Sequence, residues 1–307
     1  MKNWHYALVV FLGGCCYGVL STFVKLAYAA GYSMAEVTGS QFLVGTLVIW
    51  GVCLFTKKEK IHPMQAFKII LAGIPMGLTG IFYYQSLQTI NASLAIIFLF
   101  QFVWIGTLVE WIVDKEKPTK GKLVSIVILL FGSILAGGLI GKDELVLSWV
   151  GIFWGILAAL SFSIFIFVSG TVAKETPPIL KSALLSTGGL FVVFVFFPPM
   201  FLLDYQVVSG VAPFGLYLGI FGVVLPPLLF SIGMPHIGPG LGTILSASEL
   251  PVAVIMSALI LSEYVGLIQW FGVALILGGI IIGNVKFSKG TSLKSSFKNR
   301  NYKTNIN

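Results

Sequence analysis

The stretches LAIIFLFQFVWIGTLVEWIVDKE, residues 94–116, and LGTILSASELPVAVIMSALILSE, residues 241–263, lie 147 positions apart and align without a gap. Each runs apolar for about 20 residues, enough to cross a hydrocarbon core, and each closes on a turn glutamate, Glu116 or Glu263. The register holds in the flanks: Ile90 meets Ile237, Leu94 meets Leu241, Ile97 meets Ile244, Leu130 meets Leu277, Gly132 meets Gly279 and Ile134 meets Ile281. Any two apolar helices share some residues by chance. A shared glutamate and a shared Gly-rich end at one constant offset point to an internal repeat.

Composition says what kind of repeat this is. The chain is 57% hydrophobic and 10% charged, with a mean hydropathy of +0.98. A soluble domain carries about 25% charged residues, so this surface is made for lipid. Ten apolar runs succeed one another, at about Tyr6–Ala30, Val37–Thr56, Ala66–Leu87, Ala92–Val113, Leu123–Ile140, Leu147–Val172, Leu180–Leu203, Phe214–Met234, Leu241–Leu261 and Leu267–Val285. The seventh and eighth are interrupted by Pro198, Pro199, Pro226 and Pro227. Such breaks survive inside a bilayer only where protein or a wet cavity satisfies the freed backbone groups. The first run is too long for the apolar core of a cleaved signal peptide and carries Lys25 within it.

With the N-terminus in the cytoplasm and ten helices alternating, 17 of the 19 basic residues fall in cytoplasmic segments, as the positive-inside rule asks. The net charge of +8 is therefore read as topology and not as a nucleic-acid surface. The repeat then divides the chain into a first five-helix unit, 1–143, a second, 144–285, and a basic cytoplasmic tail, 286–307, expected to be disordered. Five is odd, so the second unit enters the membrane upside down. The turn after Glu116 carries Lys117, Lys120 and Lys122, while the turn after Glu263 carries no Lys or Arg. The expected fold is an all-α integral membrane protein of ten transmembrane helices, arranged as two inverted repeats around a central cavity. That symmetry is a hallmark of secondary transporters.

Ionisable and polar groups at bilayer depth are the candidates for function. Glu249 falls mid-helix in the ninth run, with Gly242, Ser246 and Ala253 on its face. It is read either as a substrate- or proton-binding carboxylate or as a buried structural hydrogen bond near Pro251. Lys25 shares a face of the first helix with Gly14, Gly18 and Ser21. It is read as a lysine snorkelling to the outer surface, as a counter-charge for Glu249, or as an anchor for a substrate carboxylate. Tyr83, Tyr84, Asn91, Gln101 and Ser246 complete the set of binding candidates, each also compatible with plain packing. Glu110 is expected to be solvated at the cytoplasmic end of its helix, and Glu116 and Glu263 to tie loops. Cys15, Cys16 and Cys53 are odd in number and lack metal or disulfide spacing. There is no Walker A, HExxH or GxSxG motif, so no enzyme, metal or cofactor is expected.

Two motifs carry a resemblance. Tyr17-Gly18 with Lys25 after it in the first helix, and SELPVAVIMSALILSE, Ser248 to Glu263, before a Gly-rich tenth helix, are similar to motifs of EamA-type transporters of the drug/metabolite transporter superfamily. Leu250 separates Glu249 from Pro251, Ser262 stands where the family usually has Gly, and Gln41 lies near a common family Arg. The resemblance covers residues 6 to 285. It implies a cavity between two five-helix bundles, with the fifth and tenth helices at the periphery, and export or exchange of small metabolites, amino acids or drugs without ATP. The readings carried forward are a secondary transporter working by alternating access, with or without proton antiport, an ion-independent uniporter or exchanger, and a non-transporting receptor or accessory protein. The expected partners are a small solute, lipid and protons, and no nucleic acid. The expected setting is a bacterial plasma membrane with both termini cytoplasmic.

Overall fold

A computed structural model describes residues 3–56, 61–90, 92–115, 117–138 and 148–284. The described chain is a bundle of ten helices: α1 Trp4–Ala29, α2 Met34–Leu54, α3 Pro63–Leu87, α4 Leu94–Asp114, α5 Lys120–Ala136, α6 Trp149–Thr171, α7 Pro178–Phe196, α8 Tyr205–Ile237, α9 Pro239–Ile260 and α10 Leu267–Asn284. Nine of them are long and apolar enough to cross a bilayer. The remaining one, α5, has 17 residues and occupies the place of the fifth expected span. The tail and Glu116 lie outside the described residues.

Helix starts arise from local chemistry. Ser33 caps α2 in a reciprocal box: Glu36 N–H donates to its Oγ at 3.3 Å, and Glu36 Oε2 accepts from Ser33 N–H at 2.7 Å. Thr119 Oγ1 accepts from Lys122 N–H to start α5, and Asp204 Oδ1 accepts from Gln206 and Val207 to start α8. The seventh run was expected to continue to Leu203. Instead α7 stops at Phe196, ahead of Pro198 and Pro199, and Met200–Leu203 forms a separate 3₁₀ turn. Proline lacks the N–H and crowds the preceding turn.

In α8 the Pro226–Pro227 pair is absorbed differently. The turn just before it, Ile220–Val224, widens to π geometry, with Leu225 N–H donating to Ile220 O. Pro227 cannot serve the Val223 carbonyl, and Ser186 Oγ of α7 donates to it at 3.0 Å.

The repeat is visible in backbone detail. α4 breaks at Phe100–Gln101 and α9 at Ala247–Ser248, positions related by the same 147-residue offset. Gln101 and Ser248 have the same conformation, φ −59°, ψ −16° and φ −60°, ψ −16°. Lys115 and Ser262, also 147 apart, both adopt positive φ, 58° and 53°. Packing repeats as well. α3 against α7 is matched by α8 against α2, α3 against α6 by α8 against α1, and α4 against α6 by α9 against α1. α2–α7 and α4–α9 map onto themselves. So does α5–α10, where Ser125 Oγ donates to Gly279 O at 2.7 Å.

Small residues make these crossings tight. A Cβ on Gly73 would collide with the Leu185 carbonyl, and one on Gly188 with the Ile70 carbonyl. The symmetry breaks on one side of the bundle. α6 packs along α8 and α9, and α7 along α8, whereas the equivalent pairs α1–α3, α1–α4 and α2–α3 make no comparable contact, and a cavity lies among α1, α2, α3 and α4.

Candidate functional site

The cavity measures about 500 Å³. Its floor is aromatic: Tyr17 meets Phe162 edge-on at 5.4 Å and Phe230 at 6.0 Å, and Phe102 closes on Phe162 at 4.8 Å. Above the floor stand Phe42, Tyr83 and Tyr84, and at the rim Lys25, Tyr28 and the exposed Gln88. The site is thus sealed toward one end of the bundle and reached from the other.

Glu249 sits deep in this cavity. The break in α9 places it as the first residue of the segment Glu249–Ile260, where unserved N–H groups favour negative charge. Its Oε2 is buried and meets no hydrogen-bond partner among the described residues. α1 crosses directly against it: a Cβ on Gly18 would strike the Glu249 carbonyl oxygen, and Ser248 Oγ donates to Phe11 O at 2.8 Å. The hydrogen bond considered for Glu249 near Pro251 is not present at Oε2.

Lys25 also faces the cavity, at the rim, and its partner is Glu263: Nζ donates to Oε1 at 3.1 Å. The pair ties α1 to the turn between α9 and α10. Glu263 additionally takes the Ser257 hydroxyl. Glu263 therefore does tie its loop, as expected, and it also answers Lys25, which Glu249 does not.

Tyr83 and Tyr84 line the cavity. Tyr84 OH donates to Gln41 Oε1 at 3.2 Å. Gln41, Tyr17 and Tyr28 were not among the expected binding residues, although Tyr17-Gly18 forms part of the first-helix motif and Gln41 marks a departure from the family pattern. Gln101 and Ser246 lie off the cavity. Gln101 sits in the α4 break, where its Nε2 donates to Ile97 O at 3.0 Å and its Oε1 accepts from Trp104 Nε1 at 2.8 Å. Ser246 Oγ donates to Gly242 O at 2.9 Å, one turn back along its own helix. The α4 break frees the Ile97 carbonyl for the Gln101 side chain, because Gln101 N–H turns to Phe98 O instead, while Ser246 back-bonds to its own helix as serine commonly does. Asn91 lies outside the described residues.

The sealed end is fastened by charge. Glu110, expected to be solvated, is only 17% exposed. It pairs with Lys122 of α5 and accepts from Gly240 N–H in the first turn of α9 at 3.1 Å. It is held because α9 brings a helix N-terminus, with its unserved N–H groups, against the end of α4. Tyr6 stacks on His236 at 3.7 Å, joining α1 to α8. Lys181, one of the basic residues assigned to cytoplasmic segments, is buried in the first turns of α7 and donates to Ser169 O at 2.9 Å. Among the described residues no cluster of His, Cys, Asp and Glu could hold a metal ion.

Comparison with known proteins agrees with this architecture. A solved crystal structure, described only as that of a protein, superposes with a TM-score of 0.70 at 16% identity, over 91% of this chain and 98% of that one. That likeness speaks for the fold. The uncharacterized transporter YetK of Bacillus subtilis (strain 168) is 27% identical over 265 residues, covering 81% of this chain and 78% of that protein. The model of the EamA-like transporter family matches twice, at residues 4–138 and 149–285. The two matches bracket the two sets of five helices, and the chain, a multi-pass membrane transporter, belongs to the EamA-like transporter family.

Proposed function

We propose that the protein is a secondary transporter that moves a small organic solute by alternating access, outward across a bacterial plasma membrane, in exchange for protons taken up at Glu249. The observation that carries this is a one-sided break in pseudo-symmetry. α6–α8, α6–α9 and α7–α8 are closed while their equivalents α1–α3, α1–α4 and α2–α3 stand apart, and the cavity occupies that difference. Exchanging the roles of the halves closes the present opening and opens an equivalent one at the Glu110 end, with Glu249 near the centre in both.

Orientation comes from charge. Lys115, Lys117, Lys120 and Lys122 gather at the Glu110 end, which is taken as cytoplasmic. The cavity as described then faces outward. Glu249 suits a proton site because its Oε2 is buried without a partner, and a carboxylate so placed favours a proton or a cation. The units 1–143 and 144–285 are taken as the two moving bodies.

The test needs no substrate. In a background without Cys15, Cys16 and Cys53, the conservative change Ala253→Cys places a thiol in the cavity wall one turn from Glu249. In oriented vesicles, membrane-impermeant maleimide should label it from either face, since each state exposes it in turn. Labelling from one face alone would overturn alternating access and make the protein a receptor.

A further inference from the structure

The cavity's chemistry narrows the class of solute, and this step rests on the transporter reading. Two charged side chains line it, Glu249 at depth and Lys25 at the rim. Lys25 is neutralised by Glu263 at 3.1 Å, and Glu263 is not part of the lining. The charge left facing the interior is one carboxylate, whose Oε2 is buried without a partner. The same cavity is lined by Tyr17, Tyr83, Tyr84, Phe42, Phe162 and Phe165. Aromatic faces attract a cation and also accept an apolar body.

We propose that the cavity binds a monovalent organic cation with an aromatic-sized apolar body, its ammonium group seated at Glu249. A volume of about 500 Å³ lies within the range of sites for drug-sized ligands. An anion meets a wall of the wrong sign. A neutral solute leaves Glu249 without a partner.

An α-amino acid fits the charge less well, because Lys25, the cation of the lining, is already held by Glu263. With its ammonium at Glu249, the amino acid would bury its carboxylate among aromatic rings with no cation beside it.

Four probes on one phenyl-alkyl frame separate the cases: 2-phenylethylamine, phenylalanine, 3-phenylpropionate and 2-phenylethanol. Binding of each to the full chain in lipid nanodiscs is measured by calorimetry. The amine is expected to bind at least tenfold tighter than the other three, to lose at least tenfold with Glu249→Gln, and to keep its affinity with Glu249→Asp. Retention by Asp, which preserves the charge, reads the loss in Gln as charge and not as folding. Equal or tighter binding of phenylalanine, the acid or the alcohol, or no binding of the amine to the wild type, overturns the proposal. So does undiminished amine binding by Glu249→Gln. Failure here leaves the transporter reading intact, because two-sided labelling of Ala253→Cys uses none of these probes. Amine binding with one-sided labelling would describe a cation receptor.

Discussion

Glu249 and Lys25 show how differently two ionisable residues in a membrane helix can be placed. Glu249 is walled by aromatic rings at the foot of a half-helix, while Lys25 reaches the rim and finds Glu263. In liposomes holding a pH-sensitive dye, a transported solute should drive proton movement in the wild type. Glu249→Gln is expected to abolish that signal without loss of folded protein; an unchanged proton signal would make Glu249 structural. The rim pair is a smaller matter. Its partners are 41% and 49% exposed, so water screens it. A double-mutant cycle of Lys25→Met and Glu263→Gln should show a coupling below about 1 kcal/mol in stability. The apolar setting of Glu249 can be read from the ninth run itself. The Lys25 partner cannot, because Glu263 is 238 residues away in sequence and only the fold brings it near.

At the scale of elements, the spans were legible because a bilayer demands a minimum apolar length, and nine of the ten described helices supply it. The breaks were not equally so. Pro226 and Pro227 advertise the interruption in α8, but nothing between Leu99 and Phe102 is a helix breaker. Gln101 and Ser246 look like mid-helix polar groups aimed at a ligand only if α4 and α9 are continuous. The break in α4 becomes visible once its twin in α9 is aligned with it.

Two changes test this local chemistry. Ser186→Ala removes the hydroxyl that serves the Val223 carbonyl in the π turn. In the packed interior this should cost about 1–3 kcal/mol, measured as a drop in thermal unfolding temperature of the solubilised protein. Ser262→Gly should act the other way. Ser262 holds φ 53°, where a β-carbon is strained, so glycine should stabilise the turn by about 1 kcal/mol. An unchanged melting temperature would mean that the neighbouring Lys25–Glu263 pair, not the backbone, sets that turn.

Over the whole molecule, the inverted arrangement could be argued from an odd helix number and opposite loop charge. The contact pattern carries it much further, since the most extensive helix pairings have twins. Which of the two openings is present could not be read from the sequence, because a two-fold repeat favours neither. The difference arises in packing, with α6 closed on α8 and α1 standing off α3.

The twin breaks at Gln101 and Ser248 agree to about a degree in backbone angles, yet the next residue is Phe102 in one half and Glu249 in the other. In the proposed cycle the main chain supplies two wells of nearly equal depth, and side chains alone lift the degeneracy. A system so balanced needs only about 1.4 kcal/mol to change its populations tenfold. Gain or loss of one charge on one carboxylate is ample for that. In that cycle the paired breaks would serve as a reversible hinge, and the one buried acid in the second half as its bias.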